Sequence, residues 1–453
     1  MNILIFFIFI SNTFSYLIFP LTKEYVEITS SDNHIEIIRK LYDSKFFITI
    51  NIGSERVNVK AFITQSNTEL FIGGKNIINH KYNELSSESY NNTNNQKIEI
   101  KYGSFKEGIL STENFYVNNE NNETQTISNM SFILATESRY SDDSVEGEIG
   151  LHLPYLESKP DYNFILSLKR ANGIKSYNWF FYFDNFSKGE GKMIVDGYPH
   201  NLNDKIYIQE KFSQINILKN SYYGTWGFKF TSIYYDESYL MLSNNVEAHF
   251  EFNLGIITAP LESSEALEQL FFGKYINDNI CFKEKYGVYN QYFFYCKDTK
   301  KFNAKEFKSI YLKSQELEII FELDYKDLFF YKNGYVYFLI LFKKDSNIWQ
   351  LGEIFLKKYY IVFNQNSETI GYYQGLEKEK TKDKKKFKIN LIHILLILIL
   401  LSVIIVGIII YMKKGRQRKN RANELDDDYE YESKVNSHQQ IENKLITEDN
   451  NIN

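Results

Sequence analysis

The sequence predicts a mostly β fold in two parts, followed by one transmembrane helix. Residues 46–72, FFITINIGSERVNVKAFITQSNTELFI, read as two alternating, β-branched strands joined by a Gly-containing turn, with a third strand after a polar break. At 453 residues and 43% hydrophobic, the chain can bury a sizeable core, and its length suggests two domains or one large bilobal unit. Near the C-terminus, residues 389–412, INLIHILLILILLSVIIVGIIIYM, are long and apolar enough to cross a bilayer as a single helix, with only Asn390 and His393 polar.

At the N-terminus, MNILIFFIFISNTFS is a short apolar run in which Thr13 and Ser15 are placed as a signal-peptide cleavage site requires, so cleavage after Ser15 is expected. An uncleaved anchor is the alternative, although so short a run spans a bilayer poorly. Residues 16–45 form an extension that alternates like one or two edge strands. Lysines at 382–388 and a basic cluster at 413–421 flank the apolar segment about equally, so charge alone does not orient it, and the signal peptide decides. The bulk of the chain is expected in the lumen or outside the cell, joined through a basic juxtamembrane linker at 376–388. The tail at 413–453, with its DDDYEYE run, is expected in the cytosol as a disordered segment.

An oxidising compartment agrees with the remaining signals. Cys281 and Cys296 are the only cysteines, and bonding them closes a loop for which chain entropy is worth about 3 kcal/mol. Two buried free thiols are the alternative. Sequons at Asn91, Asn122, Asn129 and Asn185 lie in polar stretches read as loops, where glycans are tolerated. A net charge of -5 provides no footprint for nucleic acid, and the Phe and Tyr richness carries no binding inference.

Within the interior, KIEIKYGSFKEGILSTENFYV forms a hairpin pattern around Tyr102-Gly103. Residues 164–174 break the strand alternation, with Phe164, Leu166, Leu168 and Ile174 suiting a helix and Asp161 a reasonable N-cap. SKGEGK is a hairpin turn on pattern alone. From about Tyr207 a second half begins with GTWGFKFTSIYY and YLMLSNNVEAHFEFNLGIITAP, and the chain closes with IWQLGEIFLKKYYIVFNQNSETIGYYQG.

In this order and spacing the chain resembles the pepsin-like aspartic proteases (eukaryotic aspartyl proteases, peptidase family A1) over roughly residues 46–374. Such proteins open with a strand ending in Ile-Gly, a second strand and then Asp-Thr-Gly-Ser. Here that place is read as Ile63-Thr64-Gln65-Ser66. Glu148-Ile149-Gly150 and Gln350-Leu351-Gly352 match the paired hydrophobic-Gly elements that thread each catalytic loop. Tyr102-Gly103 matches the flap that folds over bound peptide, with a shorter turn because Ser104 leads directly to Phe105. The family proline lies nine residues beyond the second aspartate, and counting back from Pro260 gives Glu251.

The resemblance implies a bilobal pepsin-like fold of double β-barrel or sheet type, with lobes at 46–205 and 206–375. It implies a cleft and flap lined by Tyr102, Gly103, Thr64 and Ser66, which holds a peptide or protein ligand. The family chemistry needs two carboxylates about 3 Å apart sharing a proton to activate a water. With Ile63 and Glu251 at the two aspartate positions no dyad exists and no catalytic residue is expected. Gln65, Phe252 and Asn253 are expected to crowd the loops. The expectation is therefore a single-pass membrane protein with an inactive aspartic-peptidase fold and no cofactor. The alternative is an active aspartic endopeptidase working at acidic pH in a secretory or lysosome-like compartment. Glu247, His249 and Glu251 alternate along one strand, as metal ligands sometimes do, but a satisfied histidine beside strand carboxylates explains them better, and no metal is expected.

Overall fold

The computed structural model describes residues 16–374, apart from positions 25 and 66 and the segments 141–144, 154–162, 186–189, 220–223, 288–289 and 315–318. The expected signal peptide, juxtamembrane linker, transmembrane helix, cytosolic tail, Ser66 and the N-cap Asp161 lie outside these residues. No helix among the described residues is long and apolar enough to cross a membrane.

The chain is mostly β, and its strands gather in two large sheets of 13 and 11 strands. The hairpin read from residues 46–72 is present as Phe46–Ile52 against Val57–Thr64, in register from Phe47 opposite Phe62 to Ile52 opposite Val57. Strict alternation explains it. Phe46, Ile48, Ile50 and Ile52 are buried on one face, and the residues between them are half-buried on the other. Gly53, at φ +80°, supplies the left-handed turn residue that the connection requires.

The extension at 16–45 departs from the edge strands expected of it. Its strand Leu17–Lys23 is central, pairing antiparallel with Glu190–Val195 on one side and Phe46–Ile52 on the other, because Leu17, Phe19 and Leu21 supply a buried face. The rest contains a helix, His34–Tyr42, started by a reciprocal capping box between Asn33 and Glu36. Ile37 and Ile38 on this helix are buried in a cluster with Ile256, Phe293, Tyr337 and Leu341 from the second half. His34 stacks on Tyr295 with ring centroids 3.9 Å apart and shares a 2.8 Å hydrogen bond with the Tyr337 hydroxyl.

Strands from the second half also enter the first sheet. Three strands from beyond residue 206, Phe212–Asn216, Val362–Asn364 and Thr369–Tyr373, complete the 13-stranded sheet, joining it through the pairing of Phe363 with Trp179. The two halves meet over a shared aromatic core. Trp179 stacks on Phe363 at 4.4 Å and meets Trp226 at 5.9 Å and Phe252 at 5.4 Å edge-on, pairs worth about 0.5–1.5 kcal/mol each beyond their burial. The helix Phe164–Arg170 forms as expected, but Asn163 caps it, its side chain accepting from the Leu166 amide.

Cys281 and Cys296 face each other across the antiparallel pair Cys281–Tyr286 and Gln291–Lys297 and are bonded. The sequons fall differently from expectation. Only Asn122 lies in a turn, while Asn91, Asn129 and Asn185 belong to strands, with Asn129 exposed at a positive φ where the strand pairing shifts register. Polar stretches suggest loops, but one face of an antiparallel sheet can be polar throughout.

Candidate functional site

Two copies of one local arrangement build the centre of the molecule. In the first, Val57–Thr64 runs parallel to Gly147–Gly150, with Ile63 beside Ile149 and Thr64 beside Gly150. In the second, the strand Tyr239–Phe250 runs parallel to Ile348–Leu351, with Phe250 beside Leu351, so that Glu251 comes level with Gly352. In each, a third strand returns antiparallel: Phe71 lies opposite Glu148, and Thr258 opposite Gln350. The two glycines serve the same purpose, since a Cβ at Gly150 would overlap Asn67 and one at Gly352 would overlap the carbonyls of Leu254 and Ile256.

This internal symmetry corrects the placement of the first aspartate position. Ile63 is the counterpart of Phe250, and Thr64 is the counterpart of Glu251. Val59, Ala61 and Ile63 share the inward face of their strand, and Ile63 is 0% exposed in the core. Thr64, 3% exposed, stands one residue on at the strand's end, and its carbonyl accepts the Leu151 amide at 2.9 Å. The expected Ile63 was therefore one residue out of register, and the residues facing each other across the symmetry are a threonine and a glutamate.

Gln65 follows Thr64 and crosses between the halves instead of crowding its own loop. Its Nε2 donates to the Phe250 carbonyl at 2.6 Å, and its Oε1 accepts the Phe252 amide at 3.3 Å, so it grips the backbone on both sides of Glu251. Phe252 likewise leaves the site, turning into the aromatic core against Trp179 and Phe181. The loop is held from outside as well. The Gly255 amide donates to the Tyr42 carbonyl at 2.9 Å, and the Ser44 amide to the Asn253 carbonyl at 3.0 Å, both from the end of the leading helix.

Glu251 is partly buried, and burial raises its pKa above the ordinary carboxylate value, with partial relief from a 3.3 Å hydrogen bond donated by Gln350 Nε2 and from the nearby Lys343 ammonium. Lys343 is in turn lowered by burial, against the pull of Glu251. It donates to Gln350 Oε1 at 2.6 Å, which also accepts the Thr258 hydroxyl at 2.7 Å. The second half thus holds one carboxylate in a relay of neutral and basic groups. At the symmetry-related position the Thr64 hydroxyl does not ionise at physiological pH, so no pair of carboxylates at these two positions can share a proton.

The remaining expected residues separate. His249 faces Glu247, Nε2 to Oε2 3.7 Å, and its pKa is lowered by burial, while Glu251 turns to Gln350. Among the described residues, no three His, Cys, Asp or Glu side chains are grouped to hold a metal ion. At the hairpin tip Tyr102 is 65% exposed, and Gly103 adopts φ +87°. Sequence reasoning placed Glu148 in a loop-threading element without a role at the flap and missed Asn67 and Arg139; all three lie beneath and beside that tip. A carboxylate in a hydrophobic-Gly element, at a place that should be apolar, was the available signal for the first of them.

The eukaryotic aspartyl protease profile matches residues 45–374. The chain belongs to that family. No curated protein matches it. Within this aspartyl protease family the match spans the described site from the first hairpin to the last strand, and the family's fold accounts for the repeated arrangement around Thr64 and Glu251.

Proposed function

We propose that this aspartyl-protease-fold protein is catalytically silent and uses its cleft to hold a peptide or a protein segment. The observation that carries the reading is the pairing of Thr64 with Glu251 at the two symmetry-related positions, where hydrolysis by this fold requires two carboxylates and a water between them. The polar surroundings of Glu251, with its raised pKa, suit a hydrogen-bonding wall for a bound backbone. An acid-active endopeptidase is the second reading, favoured by the one carboxylate that the site retains. Purified full-length protein incubated with a denatured protein substrate at about pH 3 to 5 is expected to produce no cleavage. Acid-dependent cleavage that is blocked by an inhibitor mimicking the tetrahedral intermediate, and lost in Glu251→Ala, would establish the second reading instead.

The same proposal places the protease-fold domain on the lumenal or outer side of a membrane, anchored once by residues 389–412, with a short cytosolic tail. It is supported by the length and apolarity of that segment and by the N-terminal apolar run. Protease added to sealed vesicles is expected to trim only a C-terminal fragment of a few kilodaltons, given a tail of about forty residues. Digestion of the large domain without detergent would reverse the orientation.

A further inference from the structure

We propose that Glu148 is a latch that holds the flap down on the floor of the first half of the cleft, so that this half is closed at rest and a ligand enters only after the latch is broken. Glu148 is 1% exposed and sits on the strand whose glycine borders Thr64. One carboxylate oxygen accepts the Ser104 amide of the flap at 2.8 Å, and the other accepts the Asn67 side-chain amide. Gly103 lies so close above this carboxylate that a Cβ there would overlap it. The space between flap and floor is occupied by the protein's own side chains.

Arg139 fastens the flap from the opposite side. Its guanidinium donates to the carbonyls of Ile100 at 2.7 Å, Gly103 at 3.1 Å and Phe105 at 3.3 Å, and its backbone amide to Ser104 at 2.8 Å. Ile100 and Phe105, one on each side of the tip, are buried against Phe71, Ile77 and Ile133. A carboxylate so buried needs hydrogen-bond donors, and the flap's amide is one of them. Lifting the flap exchanges that bond for water, so the closed state is held by a charge-assisted bond at the tip and by apolar packing at the base.

The latch rests on the cleft reading for its consequence but not for its test. Hydrogen exchange of the full-length protein is followed by mass spectrometry over residues 100–106, in wild type, Glu148→Ala and Glu148→Gln. In Glu148→Ala exchange is expected to quicken about tenfold or more in this segment, with the strand Thr124–Ser138 unchanged. Glu148→Gln keeps the shape and a neutral acceptor, so it should fall between, and it decides the matter if the alanine variant does not fold. Unaltered exchange in the folded variants overturns the latch, whatever the cleft binds. A tryptic peptide digest of a denatured protein is then added as the ligand. Faster exchange with no binding in any variant keeps the latch and sinks the cleft reading, whereas faster association in the variants supports both.

Discussion

Ile63→Asp is expected to cost about 5 kcal/mol, enough to unfold a domain of ordinary stability, whereas Thr64→Asp should cost no more than about 2 kcal/mol. The difference follows from one step along a strand. Ile63 points into a closed core with no polar partner, so an aspartate there loses apolar burial and strands a carboxyl group. Thr64 stands at the strand's end, at the position related by symmetry to Glu251 and next to Gln65, whose amide holds the backbone on either side of Glu251, so an added acid there has polar neighbours. Denaturant unfolding of the two variants checks the order, and a stable Ile63→Asp beside an unfolded Thr64→Asp would overturn the register.

Thr64→Asp alone is not expected to confer proteolysis. Rebuilding both loops, with Gln65→Thr, Ser66→Gly, Glu251→Asp, Phe252→Thr and Asn253→Gly added, is the smallest change that restores two short carboxylates and the family's small residues around them. General acid-base assistance of about a hundred- to ten-thousand-fold would then become available at acidic pH.

Glu353→Ala is expected to destabilise the protein by about 3 kcal/mol at neutral pH and to free the N-terminal extension. Glu353 is almost fully buried, with one oxygen on Lys23 at 2.6 Å and on the Ser44 hydroxyl at 2.8 Å, and it pairs also with Lys357 one helical turn on. Burial alone would raise its pKa, but Lys23 and Lys357 outweigh burial and hold it below the ordinary value. A lowered folded-state pKa means that this stabilisation is complete above the unfolded value of about 4.3 and is lost as pH falls through the folded one. The gap between wild type and Glu353→Ala in urea midpoint should therefore be wide at neutral pH and narrow in strong acid. Limited proteolysis should cut the variant ahead of the helix His34–Tyr42 sooner than wild type. Equal midpoints at neutral pH would show that Glu353 contributes nothing net.

What was legible in the sequence was local. Alternation at Phe46–Ile52 and Val57–Thr64, the paired Ile-Gly and Leu-Gly steps and the cysteine pair each announce themselves within a few residues. The first aspartate position was missed by one because Thr64 and Ser66 match the letters of Asp-Thr-Gly-Ser in the wrong frame. Strand alternation, which sends Val59, Ala61 and Ile63 inward together, contained the correction. The leading helix was hidden because Ile35 and Ile37 mimic a strand, though Asn33 and Glu36 spelled a capping box. The grip of Gln65 on Phe250 and the flap's bond to Glu148 join residues far apart in sequence, and no local pattern encodes them.

The central place of Leu17–Lys23 sets a timetable for synthesis. The strand's neighbour on one side follows within about thirty residues, but its other neighbour, Glu190–Val195, leaves the ribosome much later, and the Glu353 partner of Lys23 comes 330 residues behind it. At about 5–20 residues per second, the first strand to emerge waits roughly 15 to 70 seconds for its last contact. Until Glu190–Val195 is made, an apolar strand paired on one side keeps its other edge open, the kind of edge that recruits wrong partners during synthesis.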